Sequence, residues 1–106
     1  MQRSLVVLIL LAGLAGHAVA QEARVERGRA FVEENCARCD AVGRTGDSPL
    51  PQAPRLRDLH RRYPVENLAE AFAEGIVTGH PGMPEFVLEP AQIDDLIAYL
   101  KSLEPS

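Results

Sequence analysis

Two cysteines separated by two residues are the side chains in this sequence best suited to chemistry. Cys36 and Cys39 stand in the run Cys-Ala-Arg-Cys-Asp, so Asp40 follows the second cysteine. Thiols at this spacing can form a redox-active pair, bind a metal ion or bond covalently to a cofactor. A third sulfur belongs to Met83, between a glycine and a proline. Its thioether is a soft metal ligand.

Four interpretations of the cysteine pair compete. A thioredoxin-like pair would sit at the N-terminus of a helix after a strand, whereas these cysteines follow a helical pattern. A zinc site would need His60 and His80, whose spacing does not match that of finger-type sites. The pair could also carry no ligand. The fourth interpretation is covalent haem attachment, whose signature is Cys-x-x-Cys-His. Here Asp40 takes the histidine's place, and the last two interpretations stay open.

The elements that must position these residues are helices. Apolar residues recur at helical spacing in three main stretches, and no stretch is convincing as a strand. Pro90 suits the first turn of the last helix, and Gly75 is a plausible end for the middle one. The sequence therefore predicts an all-α fold with three main helices, a short fourth helix and two loops rich in proline and glycine. The predicted helices are residues 24–35, 55–63, 64–75 and a stretch beginning at 90, and the loops are 41–54 and 76–88.

The first 20 residues have the pattern of a secretory signal peptide. Arg3 supplies a positive start, residues 5–15 are apolar, and Ala18-Val19-Ala20 is a small-residue cleavage site. The apolar run is shorter than the roughly 20 residues of a membrane span. Cleavage would leave residues 21–106 as one small domain of 86 residues with a net charge of −5. We expect an exported, periplasmic protein without a membrane span.

Composition excludes several functional classes. An acidic domain without a basic face is a poor nucleic-acid binder. It is also too small for a nucleotide-binding half plus a substrate domain. Five aromatic residues and many alanines make a thin core, which an apolar cofactor could complete.

The region from Val25 to Leu103 resembles the small bacterial class I c-type cytochromes. The features that carry the resemblance occur in the family's order. They are Gly28 and Phe31 ahead of the cysteines, Ala41-Val42-Gly43 after them, Ala53-Pro54, the Gly79-His80-Pro81-Gly82-Met83-Pro84 loop, and Leu96-x-x-Tyr99-Leu100.

The resemblance implies a cytochrome c-like fold in which the N- and C-terminal helices cross, with Gly28 packed against aromatic residues. It implies one haem c bonded through Cys36 and Cys39, with Met83 as the distal iron ligand. The function implied is electron transfer by a monomer between redox partner proteins, not enzymatic catalysis. Asp40 departs from the family pattern, because the family's proximal ligand is a histidine at that position.

Because of Asp40, two alternatives to an electron carrier remain open. One is a degenerate cytochrome fold without a working haem, and the other is a high-spin haem protein with an open iron site. We interpret His60 and His80 as partly exposed surface histidines. The arginines of the 55–62 segment form either a solvated helix face or a surface for haem propionates or a redox partner.

Overall fold

The computed structural model describes residues 2–75 and 82–106, with side chains described from residue 15 onward. Within these ranges the protein has three α-helices and two short 3-10 helices, and no strand. The elements in chain order are α1 (Gln2–Asn35), the first 3-10 helix (Leu56–Arg61), the second 3-10 helix (Val65–Asn67), α2 (Leu68–Glu74) and α3 (Pro90–Ser102). The predicted all-α class is confirmed.

Helix α1 is longer than the predicted 24–35 helix. It begins at Gln2 and runs without interruption through the segment interpreted as a signal peptide. Residues 15–22 are exposed along this helix, whereas Val32 near its end is completely buried. Packing onto the rest of the molecule therefore starts close to Val25.

The crossing of α1 and α3 forms the centre of the fold. Gly28 is buried there, and a Cβ atom added to it would lie 2.1 Å from the carbonyl oxygen of Asp95 and 2.6 Å from Cβ of Tyr99. Only glycine allows the two backbones to approach this closely. Arg27 closes the crossing at the surface, where its guanidinium donates two hydrogen bonds, of 2.9 and 3.1 Å, to the carboxylate of Asp95.

Helix α3 begins at Pro90, as the sequence predicts. Pro90 occupies the first turn, where no intrahelical N–H bond is lost, and the backbone N–H of Glu89 donates to Oε1 of Gln92 at 3.0 Å. The buried face of this helix dominates the core. The core residues are Val32, Leu59, Val65, Leu88, Ile93, Leu96, Tyr99, Leu100 and Leu103.

The middle segment differs in detail from the predicted helices. The expected helix over 55–63 is a six-residue 3-10 helix, and the expected helix from Pro64 begins as a second 3-10 turn before α2. Prolines at positions 54 and 64 bound the first of these elements. Since residues before proline disfavour the α conformation, a longer regular helix cannot form. Gly75 ends α2 with a φ of 105°, as expected for a glycine stop.

Candidate haem-attachment site

The cysteine pair lies in a turn at the end of α1. The backbone N–H of Cys36 still donates to the carbonyl of Val32 at 2.8 Å, and those of Cys39 and Asp40 donate back to the carbonyl of Cys36 at 3.1 and 3.0 Å. This turn brings the two thiols and the Asp40 carboxyl into one short segment. Both cysteines are half-buried, and neither forms a disulfide.

The electrostatics of the turn oppose a thiolate. Burial, reinforced by the charges of Asp40 and Cys39, raises the pKa of the Cys36 thiol to about 11. The turn also follows the C-terminal end of a helix, where the dipole disfavours an anion. Redox-active cysteines have lowered thiol pKa values instead. The pair is therefore unsuited to thioredoxin-like chemistry.

A zinc site is not supported by the described residues either. Across residues 2–75 and 82–106, no three side chains among His, Cys, Asp and Glu converge on a point where a metal ion could bind. His80, which the zinc interpretation needs as the fourth ligand, lies outside the described residues.

The segment after the cysteines is held on two sides. The Leu56 amide donates to the Ala41 carbonyl at 2.9 Å, which fixes the first 3-10 helix beside the turn. The Tyr99 hydroxyl donates to the Val42 carbonyl at 2.5 Å, which fixes the segment to α3. Inside the loop, Oγ of Ser48 accepts from the Ala41 amide at 3.0 Å. The sequence indicated Tyr99 only as a packing aromatic, since nothing local reveals a partner 57 positions away.

Met83 lies in a segment without regular secondary structure that precedes α3. Phe86, three residues later, packs edge-on against Phe31 of α1 with ring centroids 6.0 Å apart. Phe31 is five residues before Cys36, so this contact ties the methionine segment to the helix that ends in the cysteine turn. The Leu88 amide adds a 2.9 Å hydrogen bond to the Phe72 carbonyl of α2. Met83 itself is 42% exposed, high for a large apolar side chain.

The surroundings of Asp40 favour the protonated form of its carboxyl over the charged form. Its side chain is half-buried, and burial raises the pKa of the carboxyl above its ordinary value. A carboxyl held in this way is a weaker acid than that of an exposed aspartate.

The fold and the site together define a class of protein. A small all-α domain with crossing terminal helices, a Cys-x-x-Cys turn after the first helix and a returning methionine segment has the design of a small c-type cytochrome. In agreement, residues 25–104 match the Cytochrome c family, and the chain belongs to this family.

One curated relative is a cytochrome c-553-like protein of Synechocystis sp. (strain ATCC 27184 / PCC 6803 / Kazusa). It is 29% identical over 85 residues, which cover 80% of this chain and 74% of the relative. No solved structure matches the chain. The family assignment makes this a small c-type cytochrome whose cofactor is covalently bound haem c, and proteins of the family are generally electron carriers that act on redox partner proteins.

The cysteine thiols and the Met83 thioether are suitable groups for holding haem c, whereas Asp40 is not the ligand that the attachment signature requires. Two unbonded thiols in one turn suit thioether attachment, and an exposed thioether in Met83 suits a soft axial ligand. One buried polar atom, Nδ1 of His60, has no hydrogen-bond partner in the described part of the chain. Asp40, by contrast, offers no nitrogen ligand where the attachment signature has its histidine.

Proposed function

We propose that this protein is a periplasmic electron carrier with one haem c bonded to the thiols of Cys36 and Cys39. The observation that carries the proposal is the cysteine turn at the end of α1, in which both thiols are free and burial raises the pKa of the Cys36 thiol to about 11. Attachment is an addition reaction. Each S–H adds across a vinyl group, so that a C–S bond forms, the hydrogen goes to the neighbouring carbon, and no external oxidant is needed.

Other residues of the chain bind the iron or position the residues that do. Haem c supplies reversible one-electron chemistry between ferric and ferrous iron. Met83 would supply a thioether to the iron, a ligand that favours ferrous iron and raises the reduction potential. The contact of Phe31 with Phe86 and the hydrogen bond from Tyr99 to Val42 hold the two ligand-bearing segments in fixed positions.

Asp40 compromises the proximal position in this proposal. Its side chain is shorter than histidine, and a carboxylate is a harder ligand that prefers ferric iron. The burial of Asp40 therefore favours a second candidate function, a high-spin haem protein with an open iron site that binds small ligands.

The leader and the assembly state complete the proposal. Residues 1–20 act as a signal peptide, which is supported by the exposure of residues 15–22 along α1. Residues 21–106 act as a monomeric domain. None of the helices in the described part of the chain combines the length and apolarity needed to cross a membrane.

Expression in a bacterium with working haem-attachment machinery tests the function. We expect the periplasmic product to begin at Gln21, to exceed the mass of the mature polypeptide by one haem, and to keep its colour through denaturation and acid–acetone extraction. A variant with Cys36→Ser and Cys39→Ser is the matched control and should carry no haem.

Three outcomes separate the alternatives. A loaded protein with a low-spin spectrum and reversible reduction supports the electron carrier. A loaded high-spin protein that binds cyanide or carbon monoxide supports the open iron site. A colourless product with the bare polypeptide mass contradicts both and indicates a degenerate fold.

A further inference from the structure

The loop after the cysteine turn closes on itself between residues 41 and 56. The hydrogen bond from the Leu56 amide to the Ala41 carbonyl joins its two ends. Gly46 has a φ of 89°, a conformation that glycine adopts without strain, and it turns the chain back. An exposed salt bridge of 3.5 Å between Arg55 and Asp47 links this turn to the end of the loop. The residues that follow Gly46 therefore return to the cysteine turn.

Ser48 and Leu50 of this loop hold the two peptide groups that flank Asp40. Oγ of Ser48 accepts a hydrogen bond of 3.0 Å from the Ala41 amide, which belongs to the peptide group after Asp40. The Leu50 amide donates at 3.1 Å to the Cys39 carbonyl, which belongs to the peptide group before it. Because peptide groups are planar, fixing both of them fixes the φ and ψ angles of the residue between them. We call Ser48 and Leu50 the clamp of residue 40.

Two prolines make the clamp stiff. Pro49 and Pro51 have fixed φ angles and no N–H group, so the Leu50 amide is the only backbone donor of residues 49–51. That single donor is the one bonded to the Cys39 carbonyl. Ser48 precedes a proline, which favours an extended backbone and limits its freedom. The clamp therefore loses little conformational entropy when it closes on the cysteine turn.

The side chain of Asp40 has no comparable support of its own. Burial is the cause of the raised pKa of its carboxyl, and no hydrogen bond or ion pair with the described residues contributes to it. The direction in which this side chain leaves the backbone is therefore set by the φ and ψ angles of residue 40, and those angles are set by the clamp.

We propose that the clamp determines how the side chain at position 40 is presented to the haem, with Ser48 as a positioning residue. The inference rests on the proposed function, since it requires the covalent cofactor. A clamped backbone cannot advance to compensate for the short side chain of Asp40, so the clamp disfavours ligation of the iron by this carboxyl. A histidine at position 40 would instead be held in one orientation.

Hydrogen exchange of the haem-loaded full chain tests the clamp directly. Ser48→Ala should make the Ala41 amide exchange about tenfold faster, because this amide loses its acceptor. Ser48→Thr retains a hydroxyl and should restore most of the protection. Thr45→Ala is the matched control, because it removes an exposed hydroxyl from the same loop and should leave the exchange unchanged. Fragmentation mass spectrometry reads the exchange at single amides.

Electron paramagnetic resonance of the ferric Asp40→His protein tests the positioning role, with the new histidine as the reporter. We expect one low-spin signal when the clamp is intact. Adding Ser48→Ala should broaden or split this signal and add a high-spin component, because the imidazole is no longer held in one orientation. Ser48→Thr and Thr45→Ala should each keep the single signal. A purely structural role of Ser48 would change the unfolding midpoint without changing the resonance signal.

The results distinguish failure of this inference from failure of the proposed function. A parent without attached haem, shown by mass, contradicts the proposed function, and the clamp is then decided in the Asp40→His protein. Loaded Ser48→Ala proteins with unchanged Ala41 exchange contradict the clamp alone. Faster exchange with an unaltered resonance signal would overturn the positioning role. An Asp40→His protein without low-spin iron would overturn it as well, since position 40 would then not face the iron.

Discussion

Asp40 ends the cysteine turn with a half-buried carboxyl at the position where the attachment signature has a histidine. Every other part of the expected donor set is present in the sequence: two thiols and a thioether in Met83. At the proposed haem site, the identity of one side chain separates this protein from a cytochrome with the His/Met ligand pair that haem c commonly has.

Replacement of Asp40 by histidine should restore that pair. We expect Asp40→His to increase the fraction of chains that carry haem and to give a six-coordinate low-spin spectrum. The control is Asp40→Ala, which should resemble the parent if the carboxyl is not a ligand. Pyridine haemochrome quantification and absorption spectroscopy measure both effects. A histidine variant with no more haem than the parent and no low-spin band would show that the ligand assignment at this position is wrong.

Met83 can be tested in the Asp40→His background. Met83→Ala should remove the distal thioether, produce a high-spin component and lower the reduction potential, because thioether ligation favours ferrous iron. Val87→Ala, in the same irregular segment and also exposed, is the matched truncation. It should preserve the low-spin spectrum. Equal spectra for the two variants would contradict the role of Met83.

At the scale of elements, the contact between α1 and α3 depends on the absence of a side chain at position 28. Gly28→Ala places a methyl group 2.1 Å from a backbone oxygen of Asp95, so one helix must shift. We expect a loss of about 1–3 kcal/mol in the free energy of unfolding, despite the better helix propensity of alanine.

Denaturant titration of the loaded protein measures this loss. Gly43→Ala is the control, because no heavy atom lies within 4 Å of the added Cβ and the backbone there does not require glycine. It should leave the unfolding midpoint nearly unchanged. An equal midpoint for Gly28→Ala and the parent would mean that the helices do not cross at this glycine.

The second 3-10 helix is joined to α3 by an ion pair that should respond to acid. The hydrogen bond from Lys101 is the main cause that lowers the pKa of Glu66 below its ordinary value. A lowered carboxyl pKa adds stability above the ordinary value, and this stability is lost as the pH falls through the folded-state pKa.

Glu66→Gln should therefore melt at a lower temperature than the parent at pH 7, and the difference should vanish as the pH falls through the lowered folded-state pKa of Glu66. Glu70→Gln is the control, because Glu70 is exposed, lies four residues after Glu66 and forms no ion pair with the described residues. The two glutamine variants should differ at neutral pH and low salt, where surface pairs are least screened. Identical melting curves would show that the pair contributes nothing.

At the scale of the whole molecule, the core is small for a domain that must fold on its own. In the described part of the chain Val32 and Val65 are the most deeply buried apolar side chains, and several apolar residues that pack against the core, among them Phe31 and Phe72, are only half-buried. A covalent haem adds apolar surface to this core and stabilises only the folded state. We expect the haem-free double serine variant to melt broadly at low temperature. The loaded protein should melt in a sharp transition.

Calorimetry and near-ultraviolet circular dichroism check this expectation. Both proteins should be compared after removal of the leader, so that they differ only in the two sulfur atoms and the cofactor. A sharp, cooperative melt of the haem-free variant would contradict a core built around a cofactor.

Local pattern was enough to predict the parts of the fold that depend on neighbouring residues. The stripe of Ile93, Leu96 and Leu100 and the proline at position 90 define α3, because helix formation responds to residues three and four apart. The resemblance placed Gly28 at the crossing, and the structure confirms it. The cysteine pair was equally visible in the sequence, since its spacing is a local property.

Only the tertiary structure decided which groups meet across long separations. Phe86 packs on Phe31, and Tyr99 donates to the Val42 carbonyl, because the chain turns back on itself between them. The 3-10 geometry of residues 56–61 also escaped sequence analysis. Apolar spacing alone favoured a regular helix there, whereas the bounding prolines and the contact with Ala41 select the tighter one. That tighter helix aligns His60 with Arg57, three residues earlier, because a 3-10 helix has three residues per turn, and residue types alone do not specify this backbone geometry.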